Sequence, residues 1–180
     1  GSVKLHYYEF YKVGIEEQNC SSKLVSEQEM SDIGPYYKKT WGDVGWNNYM
    51  IDVIVKGNSE MNAGIIFRAT NVSEGGEGKD PYLGRHFYQG YYVGIVSDGV
   101  MLVKQNYSEK LLIKAEGEYQ PGQDYHLRVI IKDNQFTIYL EDMVQPKISY
   151  IDLKPISHGR IGVRANGAIT TFTNFEHKLI

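Results

Sequence analysis

The sequence predicts an all-β fold, a sandwich of two antiparallel sheets, from three observations. Apolar and polar residues alternate along several stretches, which is the period of a half-buried strand. The 180 residues include 15 Tyr and 19 Gly, which favour strands and the turns between them. Helical periodicity is nearly absent, and its one candidate, 24–34, is short enough to be a single turn. We expect more than ten short strands in one domain over residues 1–180.

The alternation is clearest in the middle of the chain. In NYMIDVIVKG one face is apolar: Tyr49, Ile51, Val53 and Val55. YHLRVIIKD repeats this pattern: Tyr125, Leu127, Val129 and Ile131. Hairpin turns are predicted at Asp98-Gly99 and Asp133-Asn134, because these dipeptides suit two-residue turns. Further strands are predicted at 3–13, 22–25, 111–115, 160–164 and 169–175.

Composition excludes several classes of function. The net charge is -3 and the Lys and Arg residues are scattered, so no nucleic-acid or anionic-membrane surface is predicted. No apolar run approaches the ~20 residues that span a bilayer. The single Cys20 excludes an internal disulfide and a cysteine-based zinc site. Gly1-Ser2 resembles a cloning scar and no signal peptide is visible, so we interpret the chain as part of a longer secreted protein, extracellular or cell-surface.

Three predicted strands share a pattern that points to a binding site. Each has one bulky apolar face and one face with glycine beside Arg or Tyr: Gly64 with Arg68, Gly94 with Tyr92, and Gly162 with Arg164. Glycine inside a strand often marks the close approach of a ligand. We therefore predict a glycine-lined groove with Arg68, Tyr92 and Arg164 on its floor.

The side chains of this predicted groove suit a sugar. Arg offers a planar fork of donors to hydroxyls or a carboxylate, and Tyr92 and Trp46 offer ring faces to the C–H side of a sugar. His86 and Tyr88 are predicted at the rim. The alternative interpretation is that each Arg pairs with a nearby Asp or Glu on the surface.

The segment between the first two of these strands is long for a hairpin, and such loops tend to be functional. Its carboxylates Glu74, Glu77 and Asp80 are candidate ligands for a structural calcium ion, although their spacing fits no EF-hand. No other cofactor is predicted.

A catalytic site is not predicted. The five histidines show neither metal-ligand spacing nor a neighbouring nucleophile motif. Sandwich-fold glucanases carry two carboxylates at alternating positions of one strand. Here Glu27, Glu29 and Asp32 lie in a stretch without strand character, and Asp52 is isolated in its strand.

Six motifs in order carry a family resemblance: WNNYMIDVIVKG, NAGIIFRATN, GYYVGIVSDG, YHLRVIIKDNQFTIYLEDM, GRIGVRA and TFTNFE. Over residues 46–176 the chain resembles the concanavalin A-like, laminin-G-type modules of secreted bacterial glycoside hydrolases, in particular fructan-binding-type carbohydrate-binding modules. The resemblance implies a lectin-like jelly roll that binds a terminal sugar of a plant or microbial glycan and is tethered to a catalytic domain. Arg68 in GIIFR and Arg164 in GVR fall on recurrent motif positions.

Two other functions remain open at the level of sequence. The chain is also similar to the 3-keto-disaccharide hydrolases, in which a strand ending in Arg is followed by GYE. Here the corresponding motif reads GYYVGI. Tyr92 stands where those enzymes have the Glu of GYE, and Gly94 stands where they have a polar, amide-bearing residue. The residues for that chemistry are therefore missing. The third reading is a structural or adhesive laminin-G-like domain that packs on a catalytic neighbour.

Overall fold

The computed structural model describes residues 10–13, 36–57, 61–73, 87–166 and 170–180, with side chains from residue 38 onward. These residues form twelve strands and contain no helix, so the described part offers none that could cross a membrane. The strands are β1 (Phe10–Val13), β2 (Tyr36–Trp41), β3 (Tyr49–Gly57), β4 (Asn62–Thr70), β5 (Gln89–Val96), β6 (Gly99–Asn106), β7 (Ser108–Glu116), β8 (Tyr125–Lys132), β9 (Gln135–Leu140), β10 (Ile148–Ile151), β11 (Arg160–Asn166) and β12 (Thr170–Leu179). The predicted helical turn at 24–34 and the predicted strand at 22–25 lie outside the described residues.

The strands form two six-stranded sheets. Within each sheet, neighbouring strands pair in the antiparallel direction. Sheet A has the order β1-β12-β3-β8-β9-β10, and sheet B has the order β2-β11-β4-β5-β6-β7. The two sheets face each other across one apolar core. The predicted all-β sandwich of two antiparallel sheets is confirmed.

The core consists of the alternating apolar residues of both sheets. In β3 the buried apolar side chains are Tyr49, Ile51, Val53 and Val55, and β8 and β9 bury every second residue in the same way. Each fully buried side chain of this size contributes about 1.5–3 kcal/mol to the free energy of folding. This face of sheet A is therefore fixed by sequence alternation alone.

Strands β4 and β5 differ because they are buried on both faces. Their inner face contributes Ile65, Phe67, Tyr91 and Val93 to the core. Their outer face, the one turned away from sheet A, carries a second small apolar cluster: Ile66, Ala69, Tyr88, Tyr92 and Val103. The outer faces of β4 and β5 are thus buried, whereas the residues of β7 in the same sheet are mostly exposed to water.

A β-bulge near the end of β4 changes which face its last residues occupy. Phe67 is paired with Tyr91 and Thr70 with Gln89, so β4 carries one more residue than β5 between these pairs. The extra residue is Arg68, whose φ of 50° is left-handed. Because a bulge shifts the alternation by one residue, Ala69 takes the outer face and Arg68 turns to the opposite side.

Candidate functional site

Arg68 is buried between the two sheets rather than on the outer face of sheet B. Its Nε donates to the Asn47 carbonyl oxygen at 2.9 Å and its Nη1 to the Ile156 carbonyl oxygen at 3.0 Å. Its Cζ lies 5.4 Å from the ring centroid of the core residue Phe136. The prediction that Arg68 and Tyr92 share one floor is therefore wrong. Strict alternation assigned Arg68 to the face of Ile66, and the bulge reverses that assignment.

The backbone hydrogen bond and the lowered pKa of Arg68 also indicate a structural role for this residue. Its backbone N–H donates to the Tyr49 hydroxyl at 2.7 Å, and that hydroxyl donates to the Gly159 carbonyl oxygen at 3.1 Å. Burial lowers the pKa of Arg68 below its usual value and raises that of Tyr49 above its usual value. Arg68 thus joins the start of β3 to the segment that precedes β11.

Trp46 lies at the same rim as Arg68 and does not reach Tyr92 or Arg164. Its ring stacks on His177 with a centroid distance of 4.6 Å, and the side chain packs against the core. The Trp46 carbonyl oxygen accepts a hydrogen bond from Gly159. The predicted grouping of Trp46 with Tyr92 is therefore not found.

The predicted glycine-lined groove is filled by the protein itself. A Cβ on Gly94 would lie 2.6 Å from the ring of Tyr92, so the Tyr92 ring covers this glycine. The Tyr92 hydroxyl donates to Asn62 Oδ1 at 2.9 Å, and burial raises the pKa of Tyr92 above its usual value. Gly64 allows a close approach of the β5 backbone. The prediction of an open trough over these glycines is wrong, because strand-to-strand and ring-to-strand contacts occupy the space.

Arg164 does lie with Tyr92 on the outer face of sheet B, as predicted from the sequence. Tyr88 lies with them, but it is fully buried, so the prediction that it stands at a rim is wrong. Its Cζ is 4.7 Å from the Tyr92 ring centroid, and its Nη1 is 3.4 Å from the Tyr88 hydroxyl. Nη1 also donates to Gln105 Oε1 at 3.1 Å, and Nη2 lies 3.4 Å from Glu109 Oε2. We call Arg164, Tyr88, Tyr92, Gln105 and Glu109 the arginine cluster.

The neighbouring side chains in this cluster stabilise the positive charge of Arg164. Arg164 is only 3% exposed. Burial opposes the charge, but the phenols of Tyr88 and Tyr92 and the carboxylate of Glu109 raise the pKa of Arg164 above its usual value. Burial likewise raises the pKa of Tyr88 to about 12. The cluster ends at Glu109, whose side chain is 45% exposed, so it connects a buried arginine to the surface.

Beside the cluster, the exposed end of sheet B carries a row of three amide side chains. Asn71 Nδ2 donates to Gln89 Oε1, and Gln89 Nε2 donates to Asn106 Oδ1 at 2.7 Å. We call Asn71, Gln89 and Asn106 the amide row. Gln105 of the arginine cluster directly precedes Asn106 in β6, so the row and the cluster lie at the same end of this strand. Because successive strand residues point to opposite faces, their side chains project to opposite sides of the sheet there.

An exposed aromatic ring completes this end of the sheet. Tyr107, at the tip of the β6–β7 hairpin, is 72% exposed and has a left-handed φ of 66°. Its ring centroid is 5.7 Å from that of Phe87. This exposed ring directly follows Asn106 of the amide row in the chain, so the hairpin tip offers an apolar face next to a residue with amide donors and acceptors. Such an arrangement can bind a sugar through its C–H face and its hydroxyls.

The sequence did not indicate the amide row or Tyr107. The β6–β7 turn contains no glycine or proline to mark it. Only the pairing of Asn106 with Ser108 places Tyr107 at a hairpin tip. The predicted rim residue His86 lies outside the described residues.

No metal site is found in the described part of the chain. Its His, Cys, Asp and Glu side chains form no group of three that could hold an ion. The calcium candidates Glu74, Glu77 and Asp80 lie outside the described residues, so a structural calcium ion stays a prediction. Calcium titration followed by thermal unfolding would test it.

No family model and no curated protein sequence matches this chain. Solved structures do match. The carbohydrate-binding module CBM66 from Bacillus subtilis has a TM-score of 0.62 and 17% identity, over 80% of this chain and 82% of that one. Sheep galectin-11 in complex with glycerol has a TM-score of 0.53 and 13% identity, over 79% and 96%. The exoplasmic/lumenal domain of VIP36 bound to Ca²⁺ and Man3GlcNAc has a TM-score of 0.58 and 11% identity, over 81% and 74%.

These similarities establish the architecture of the chain. Its structural neighbours are the galectin-like, CBM66 and VIP36 lectin-fold domains. The chain therefore has the concanavalin A-like β-sandwich fold of lectin-type domains. At these identities the likeness concerns the fold alone, because a fold can support unrelated functions.

Proposed function

We propose that this chain is a non-catalytic carbohydrate-binding domain that holds a glycan at the exposed end of sheet B. The observation that carries the proposal is the exposed Tyr107 ring at the tip of the β6–β7 hairpin, directly after Asn106 of the amide row and two residues before Glu109 of the arginine cluster. The lectin-type fold supports it, since the similar structures include domains bound to glycerol and to Man3GlcNAc.

Each component of this surface has a defined task. Tyr107 supplies the stacking face, and the amide row supplies donors and acceptors already oriented by their mutual hydrogen bonds. Arg164 does not contact the sugar, because its guanidinium is buried. Its role is to hold Gln105 and Glu109 in place. Arg68 and Trp46 lie elsewhere and are not part of this proposal.

Affinity for one sugar unit should be weak. Hydrogen bonds to sugar hydroxyls largely replace bonds to water and leave a modest net gain each. We expect a Kd of roughly 0.1–1 mM, or about 4–5.5 kcal/mol. Tethering to a glycoside hydrolase outside the cell or at its surface would raise the effective affinity through local concentration.

Catalysis by this chain is disfavoured by the residues at the site. The GYYVGI motif places Tyr92, buried under Arg164, where the 3-keto-disaccharide hydrolases have an acidic residue. At the exposed end of sheet B, Glu109 is the carboxylate that the described contacts place beside Arg164. Glycoside hydrolysis ordinarily needs a pair of carboxylates. Release of product from a 3-keto-glycoside would overturn this assignment.

Affinity electrophoresis in gels containing levan, arabinan, xylan or mannan tests the binding site. Tyr107→Ala should weaken retardation by about tenfold, because the stacking face is lost. Tyr107→Phe is the matched control, since it keeps the ring and the same backbone strain, and it should retain most of the binding. Retardation that is unchanged in Tyr107→Ala overturns the site, and the absence of retardation by all four polysaccharides overturns the function.

A further inference from the structure

The outer face of sheet A, on the opposite side of the sandwich, contains a depression with a volume of about 340 Å³. Its walls come from β3, β8 and β12, and its aliphatic lining includes Met50 and Ile54. Of the binding residues predicted from the sequence, the described ones do not line it. The depression is therefore separate from the site proposed on sheet B.

A second β-bulge shapes this depression. Thr173 is paired with Ile54 and Glu176 with Asp52, so β12 carries one more residue than β3 between these pairs. Asn174 in this bulge has a left-handed φ of 52° and is exposed. Because a bulge bends the strand that carries it, β12 curves at the point where the depression lies.

The polar wall combines unlike charges. Arg128 Nε lies 3.0 Å from both carboxylate oxygens of Asp52, and His126 Nε2 lies 2.5 Å from Asp52 Oδ1. Within the described residues these bonds use only Nε of Arg128, which leaves its two terminal nitrogens available as donors. Glu176 is exposed and makes no hydrogen bond or ion pair with another described residue, so it is available as an acceptor.

This combination fits a neutral ligand with many hydroxyl groups. The depression contains two carboxylates and one guanidinium, with a histidine beside them. A strongly charged ligand of either sign would therefore lie next to a group that carries the same sign of charge. Hydroxyl groups can accept from Arg128 and Asn174 and donate to Glu176 in the same orientation. Tyr139 lies next to Arg128 in the sheet and is half-buried on this outer face, where it extends the apolar surface.

We propose that this depression is a second saccharide-binding site, so that the domain can engage two glycan segments at separate places. The choice of saccharides as the ligand class rests on the proposed function, whereas the site itself rests on the geometry of β3, β8 and β12. Because one site lies at the exposed end of sheet B and the other on the outer face of sheet A, both can be occupied at once. Simultaneous binding by linked sites raises avidity without any new contact.

The test is a chemical-shift titration of the isotope-labelled protein with 1-kestose, xylotriose, arabinotriose and mannotriose in turn. We expect shifts at Asp52, Arg128 and Asn174 that saturate separately from shifts at Gln89 and Tyr107. In the double variant Arg128→Lys, Glu176→Gln the dissociation constant at sheet A should rise by about tenfold or more, because charge-assisted hydrogen bonds are lost. Lys178→Gln, on the same strand outside the depression, is the matched control and should leave it unchanged.

The outcomes separate this proposal from the function proposed above. Shifts confined to sheet B, or shifts at sheet A that persist in the double variant, overturn the second site and leave the first. Shifts confined to sheet A that the double variant abolishes support the second site and overturn the first. The absence of shifts with all four trisaccharides overturns both.

Discussion

The guanidinium of Arg164 lies over the ring of Tyr92, with its Cζ 4.7 Å from the ring centroid. This contact connects a buried apolar cluster on the outer face of sheet B with polar side chains at the surface. Beneath it, Tyr92 belongs to the small apolar cluster with Ile66 and Val103. Beyond it, the same guanidinium reaches Gln105 and Glu109 at the surface. The position of the exposed polar groups therefore depends on a buried cation–aromatic contact.

Arg164→Lys tests this dependence. Lysine keeps the charge but loses the planar fork that contacts Tyr92, Tyr88, Gln105 and Glu109 together. We expect the free energy of unfolding in urea to fall by about 2 kcal/mol and glycan retardation to weaken. Arg160→Lys, on the same strand but exposed, is the control and should change stability by less than about 0.5 kcal/mol. Equal stability of the two variants would show that the fork is not needed.

Two substitutions of Arg68 test the bulge in β4. Arg68→Ala removes the hydrogen bonds to Asn47 and Ile156 and should lower the free energy of unfolding by about 3 kcal/mol. Arg68→Gly removes the same bonds but relieves the left-handed φ. The glycine variant should therefore be more stable than the alanine variant by about 1 kcal/mol in urea unfolding. The reverse order would contradict the bulge.

How much the sequence predicts depends on whether a feature is local. The inner faces of β3, β8 and β9 follow from alternation, because each residue's face is set by its own strand. The hairpin turns at Asp98 and Asp133 were likewise visible in dipeptides, and β5–β6 and β8–β9 pair across them.

Pairing between strands sets the features that the sequence did not reveal. The bulge at Arg68 exists only as a mismatch in length between β4 and its neighbours β5 and β11. A one-residue shift moves a side chain to the other face, so Arg68 was assigned to the wrong one. The covered glycines, Gly64 and Gly94, were misread for a similar reason: a missing side chain can admit a neighbouring ring or strand as readily as a ligand.

Asp152 should make the stability of the fold sensitive to acid. Its Oδ2 accepts from the Tyr91 hydroxyl at 2.6 Å and from Lys104 Nζ at 2.8 Å. Burial works against the charge of Asp152, but these two bonds outweigh it and hold its pKa below the usual value. Above the unfolded-state pKa of about 3.9 the bonds contribute fully, and the contribution is lost as the pH falls through the lower folded-state pKa.

Asp152→Asn is the corresponding variant. It should lower the free energy of unfolding at pH 7 by about 1.5–3 kcal/mol, because two bonds to a carboxylate are weakened. The difference from the unsubstituted protein should shrink as the pH falls below about 4. Urea unfolding over a series of pH values measures both effects. A difference that does not depend on pH would show that the charge of Asp152 contributes nothing.

His177 should add a second pH dependence, between pH 4 and 6.5. It is buried against the ring of Trp46, with a centroid distance of 4.6 Å, and burial lowers its pKa from 6.5 to about 4. The unfolded chain therefore binds a proton in this window that the folded chain does not. Stability should fall as the pH drops from 6.5 toward 4, with a slope of at most about 1.4 kcal/mol per pH unit from this residue. His177→Gln cannot take up that proton, so its urea-unfolding profile should be flatter in this window, and profiles with equal slopes would show that His177 titrates normally in the fold.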